Sequence, residues 1–139
     1  MPTRNASAVW EGDLKSGKGT MKMAAWEGPY SFASRFEQGG GTNPEELLAA
    51  AHAGCYSMAF SNGLAGAGHV PKRVATIAKV ILDKAFDGFR ITIVELDCQA
   101  TVPEIDPAKF QELAEAAKKG CPVSRLFAGA EIRLNARLA

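Results

Sequence analysis

The chain opens in short alternating segments. Ala8-Val-Trp-Glu, Gly19-Thr-Met-Lys-Met-Ala and Tyr30-Ser-Phe-Ala-Ser-Arg-Phe each read as a strand, with Gly12-Asp13 and Glu27-Gly28-Pro29 as the turns between them. Gln38-Gly-Gly-Gly-Thr breaks this rhythm. A helix is predicted next. Asn43 suits the N-cap, Pro44 the first helical position, and Glu46 sits at capping-box spacing. From Leu47 to Ser61 no residue is charged, and every face is apolar or small, the mark of a helix buried all round. Gly63, Gly66 and Gly68 are its stop signals. A long hairpin follows, Arg73–Phe86 and Phe89–Val102 about the turn Asp87-Gly88. Val74, Thr76, Ala78, Val80 and Leu82 share one face of its first strand; Thr92, Val94, Leu96, Cys98, Ala100 and Val102 share one face of the second. Asp106-Pro107 then starts an amphipathic helix, with Phe110, Leu113 and Ala117 inward and Gly120 at its end. Pro122 opens a short helix to about Phe127, and Ile132, Leu134, Ala136 and Leu138 alternate with charged or polar residues in a last strand.

These elements make an α+β fold in a single domain spanning residues 1–139. One sheet covers only one side of a helix that is apolar all round. A second copy of the chain is the simple cover for the other side, so the pattern predicts a homodimer that buries two such helices together. The helix is too short and too weakly apolar to span a bilayer, which needs about 20 apolar residues.

Charge narrows the partners. The net charge is +1, which favours neither nucleic acid nor an anionic membrane. Met1–Ser7 carries no apolar run of the kind a secretory signal needs, and three cysteines in such a chain suggest a reducing, cytoplasmic setting.

Two of the cysteines fall in chemically suggestive settings. Cys55 lies on the apolar helix, with Arg35, Glu45 and His52 as neighbours that could assist it. Cys121, in Gly120-Cys-Pro-Val-Ser, sits at a helix N-cap, where free N–H groups and the dipole favour a thiolate. A thiolate can attack an O–O bond, an arginine can hold the thiolate, and a second thiol can condense the resulting sulfenic acid to a disulfide. This inventory is sufficient for peroxide reduction, and by itself it leaves other thiol chemistry open. His52, three residues before Cys55, could form a Cys–His nucleophile for acyl transfer or hydrolysis. The simpler reading is a partly buried histidine that packs or hydrogen-bonds at the edge of the site. Cys98 reads as core packing, Glu46 as a cap, and His69 as a loop residue.

Several motifs together resemble the OsmC/Ohr family of thiol peroxidases. They are Trp10-Glu-Gly-Asp, Ser34-Arg-Phe-Glu, Gly41-Thr-Asn-Pro-Glu-Glu-Leu, Ala51-His-Ala-Gly-Cys-Tyr-Ser-Met-Ala and Gly120-Cys-Pro-Val-Ser. The arginine in a Ser-Arg-Phe-Glu strand just before the helix resembles the OsmC branch. The resemblance implies antiparallel sheets wrapped around long central helices in an intertwined homodimer. It implies a cytoplasmic enzyme of stress defence that reduces organic hydroperoxides, and hydrogen peroxide more weakly, to alcohols. By motif, Cys55 would be the peroxidatic cysteine, Cys121 the resolving one, and Arg35 and Glu45 the pair that activates Cys55. A dithiol such as a dihydrolipoyl group would reduce the disulfide, and no metal or organic cofactor is implied. The alternative is a non-catalytic carrier of small hydrophobic ligands, or a redox sensor, on the same dimer.

One geometric expectation follows. Glu45 and Cys55 are ten positions apart, about 15 Å of rise on an unbroken helix. No glutamate side chain spans that distance. Either the helix breaks between them, or Cys55 of one chain meets Glu45 or Arg35 of the other.

Overall fold

Trp10, Gly19 and Tyr30 meet side by side across a three-stranded meander. In the computed structural model, which describes residues 1–139, β1 (Ala6–Glu11), β2 (Lys18–Met23) and β3 (Trp26–Tyr30) pair antiparallel in that order. Trp10 and Tyr30 sit on either side of Gly19, with ring centroids 5.3 Å apart. A Cβ on Gly19 would lie 2.5 Å from Tyr30 Cε1 and 2.7 Å from Trp10 Cε3, so the rings require glycine there.

This first compact unit, Met1–Leu47, departs from the sequence expectation twice. Glu27-Gly28-Pro29 lies inside β3 and is not a turn; the chain reverses between β2 and β3, where Ala24 takes a positive φ of 40°. Gly28 serves packing, since a Cβ there would come within 2.4 Å of the Trp26 ring. Pro29 is tolerated because β3 is an edge strand. The second departure is that Tyr30–Phe36 is not one strand. It breaks at Ser31, and Phe32–Phe36 is a short helix, α1. The Ser31 hydroxyl accepts the Ser34 N–H while the Ser34 hydroxyl accepts the Ser31 N–H, a reciprocal cap that ends the strand and starts the helix. Phe32 and Phe36 then stack one turn apart at 5.0 Å.

The second unit is Leu48–Ala139. Helix α2 runs without a break from Pro44 to Gly66 and reaches across the boundary between the units. Gly63 stays inside it. The stop is Gly68, in a left-handed conformation with φ 88°, where His69 N–H returns to the Leu64 carbonyl. The sheet pairs β4 (Arg73–Ala85) antiparallel with β5 (Gly88–Thr101), and β5 parallel with β6 (Glu131–Leu138). The inward face of β5 (Val94, Leu96, Cys98 and Ala100) is buried as its alternation predicts. Helix α3 (Pro107–Gly120) adds Phe110, Ala114 and Ala117, and the five-residue α4 (Pro122–Leu126) follows directly.

One stripe of α2 (His52, Tyr56, Phe60 and Leu64 at helical spacing) enters this core. Phe60 meets Phe110 edge to face at 5.2 Å. Each such fully buried aromatic contributes about 1.5–3 kcal/mol of transfer free energy. Within a single chain α2 is therefore buried along one stripe and not all round, with Met58 76% exposed. No helix is long and apolar enough to cross a membrane.

Candidate active site

The second unit brings two thiols together. Cys55 begins the fourth turn of α2, half-buried, and Cys121 joins α3 to α4, fully buried. Their sulfurs are 2.7 Å apart, although 66 positions separate them in the chain. Both are free thiols, closer than van der Waals contact and short of a covalent bond.

Cys121 occupies the N-cap of α4 as expected, but its side chain does not cap the helix. The free amide of Val123 in the first turn of α4 is hydrogen-bonded instead to the Cys55 sulfur. Burial first, and then the contact with Cys121, push the Cys55 thiol above its ordinary range; the Val123 amide pulls it down. A thiol held up in this way needs a cation to become a nucleophile at neutral pH.

Arg35 and Glu45 form a pair in the first unit. Arg35 lies on α1, a helix and not the strand expected from its alternation, and Glu45 lies in the first turn of α2. The guanidinium binds the carboxylate in bidentate fashion, Nη2 to Oε1 at 2.8 Å and Nε to both oxygens at 3.2 Å. The carboxylate end is the better shielded, with Glu45 12% and Arg35 36% exposed. The Asn43 side chain fixes the geometry from both sides: its carbonyl caps Glu46 N–H at 2.8 Å, and its amide donates to the Ser34 carbonyl at 2.9 Å. Glu46 serves the helix start, but its carboxylate accepts from the Thr42 hydroxyl at 3.0 Å and not from the Asn43 N–H that a capping box would use.

His52 is wholly buried, deeper than the sequence suggests. Its Nε2 is 2.7 Å from the Ser124 hydroxyl, its ring stands edge-on to Phe127, and its Nδ1 has no partner. Neither nitrogen serves Cys55, which removes the Cys–His nucleophile. Burial holds the imidazole below its ordinary pKa, so it stays neutral. Cys98 lies in the core, its thiol raised by burial, as packing predicts. Sequence reasoning missed Val123 and Ser124. The signal available was a matched spacing, since Ser124 follows Cys121 by three residues just as Cys55 follows His52.

Residues 37–136 match the family described as OsmC-like protein. The chain belongs to the OsmC-like family. Among relatives of this OsmC-like protein, Peroxiredoxin OsmC of Escherichia coli strain K12 is 46% identical over 138 residues, covering 97% of this chain and 96% of the relative. An organic hydroperoxide resistance protein of Xanthomonas axonopodis pv. citri is 36% identical over 96 residues, 66% of this chain and 63% of the relative. The crystal structure of an OsmC-like protein from Mycoplasma pneumoniae shares the fold, with a TM-score of 0.76 at 18% identity over 99% of this chain and 98% of that one.

Proposed function

We propose that this protein is a thiol-dependent peroxidase that reduces organic hydroperoxides, and hydrogen peroxide more weakly, to alcohols. The observation that carries the reading is the pair of free thiols 2.7 Å apart, one half-buried and one fully buried. A peroxide must reach the attacking sulfur, which favours Cys55. A resolving thiol needs only to reach Cys55, which suits the buried Cys121. The names of the relatives, a peroxiredoxin and organic hydroperoxide resistance proteins, support the same chemistry.

In the first step the Cys55 thiolate attacks the distal oxygen of the hydroperoxide. An S–O bond forms and the O–O bond breaks. The alkoxide leaves as the alcohol after taking a proton, and Cys55 is a sulfenic acid. In the second step Cys121 attacks the Cys55 sulfur, the S–O bond breaks, and water leaves with the Cys121 proton. A dithiol reductant, of which a dihydrolipoyl group is one example, returns both thiols by exchange.

The Arg35–Glu45 pair supplies the cation that the Cys55 environment lacks. Because α2 is continuous from Pro44 to Gly66, Glu45 and Cys55 of one chain lie about 15 Å apart along its axis. The pair therefore serves Cys55 of a partner chain in a homodimer, where the outer faces of the two α2 helices cover each other. A cytoplasmic setting would keep both thiols reduced at rest.

Steady-state kinetics with cumene hydroperoxide, tert-butyl hydroperoxide and hydrogen peroxide, each with dihydrolipoamide and with thioredoxin, test this. Turnover is expected with the alkyl hydroperoxides first. Absence of peroxide consumption, with binding of apolar ligands instead, would replace the reading with that of a carrier.

A further inference from the structure

Helix α4 is five residues long, too short to hold its own place on the molecule. It nevertheless carries the resolving thiol at its N-cap, and that sulfur must meet Cys55 in a defined geometry. Three contacts join α4 to α2. Cys121 and the Val123 amide both meet the Cys55 sulfur, and Ser124 meets His52. The two side-chain pairs run in opposite senses, three residues apart on each element, so they lie one helical turn apart. The two contacts at the Cys55 sulfur converge on one atom and leave α4 able to swivel about it; the His52–Ser124 contact, one turn away, fixes the rotation.

The side chains at the His52–Ser124 contact suit that task. His52 and Ser124 are both buried, so their 2.7 Å hydrogen bond is shielded from water. The His52 ring also stands edge-on to Phe127, at 5.2 Å and 86°, just past the end of α4. A phenyl ring would fill this space without leaving a buried nitrogen unpaired, so packing alone does not account for histidine here.

We propose that the His52–Ser124 hydrogen bond is a positioning clamp for the resolving step, holding Cys121 so that it captures the Cys55 sulfenic acid before a second peroxide does. The inference rests on the two-cysteine peroxidase reading above. His52 and Ser124 are positioning residues: they touch neither peroxide nor the reacting sulfurs. The step they govern is the attack of Cys121 on Cys55–SOH, which forms the S–S bond, breaks the S–O bond and releases water. When it is slow, further peroxide carries Cys55 to the sulfinic acid.

Single-turnover reactions with cumene hydroperoxide test this, with dimedone trapping of the sulfenic acid and mass spectrometry of the disulfide. The readout is the ratio of the disulfide-forming rate to the sulfenic-acid-forming rate within each protein. Ser124→Ala and His52→Phe should lower this ratio about tenfold and raise the sulfinic fraction. His52→Gln, whose amide nitrogen can reach the position of Nε2, should recover most of the wild-type ratio. A general loosening of the fold would slow both steps together and give no rescue by Gln; that result, or an unchanged ratio in Ser124→Ala, overturns the clamp. Should the histidine variants fail to fold, Ser124→Ala decides alone. If the wild-type protein forms no Cys55–Cys121 disulfide at all, the peroxidase reading falls and the clamp with it. If it forms one and Ser124→Ala matches it, only the clamp falls.

Discussion

The proposal that Glu45 of one chain serves Cys55 of its partner can be tested by mixing two defective chains. The perturbation is a heterodimer of a Cys55→Ser chain with a Glu45→Ala chain. The geometry sets the expectation. Helix α2 is unbroken over Pro44–Gly66, so ten residues separate the two side chains by about 15 Å of rise and leave them about 80° apart around the axis. Glu45 is also already engaged, gripping Arg35 through Nη2 at 2.8 Å and Nε at 3.2 Å. If the site is shared in a two-fold dimer, one site of the heterodimer combines an intact Cys55 with an intact Glu45, and the other carries both defects. Tag-selected heterodimers should then recover about half of the wild-type rate, and an unselected equal mixture about a quarter, because only half of its dimers are mixed. The assay is cumene hydroperoxide consumption with dihydrolipoamide, set against each homodimer. Activity no higher than the average of the two homodimers would refute the shared site, and so would a chain that stays monomeric.

Other expectations follow from the same geometry. Cys55→Ser should abolish turnover, whereas Cys121→Ser should reduce one equivalent of peroxide and then stall or over-oxidise; equal multiple turnover by both variants in a peroxide assay would refute their division of labour. Arg35→Ala should lose most of the peroxidase rate and move the Cys55 thiol titration upward, away from the range of the free thiol at about 8.5; an unchanged titration, followed by the thiolate absorbance, would mean that Arg35 acts elsewhere. His52 is buried with its pKa depressed, so the unfolded chain binds the extra proton. Its contribution is complete above the unfolded value of about 6.5 and is lost as pH falls below it, by up to about 1.4 kcal/mol per pH unit. Denaturant unfolding of the wild type and His52→Gln between pH 7.5 and about 5.5 should show that slope only in the wild type; equal slopes would place the titration in another group.

Much of this molecule is set by local rules that the sequence states openly. The hairpin of β4 and β5, the cap and proline that start α2 and α3, and the alternation of β6 all depend on neighbours within a few positions. The same is true of Cys98, whose place on the apolar face of β5 assigns it to the core. Where two local rules compete, alternation misleads. Tyr30–Phe36 has the period of a strand, yet the reciprocal Ser31–Ser34 cap and the Phe32–Phe36 contact make its second half a helix, and Arg35 moves with it. Gly28 and Pro29 look like a turn, but a tryptophan ring lying over the glycine and an edge position for the proline keep them in β3. The site itself belongs to the tertiary structure. Motif resemblance named Cys55 and Cys121 as partners, but the packing of α4 on α2 sets their separation, directs the Val123 amide to Cys55 and closes the His52–Ser124 contact. These are contacts between residues some seventy positions apart, and no periodicity within either segment encodes them. Only folding removes water from the pair, and that burial pushes the Cys55 thiol up.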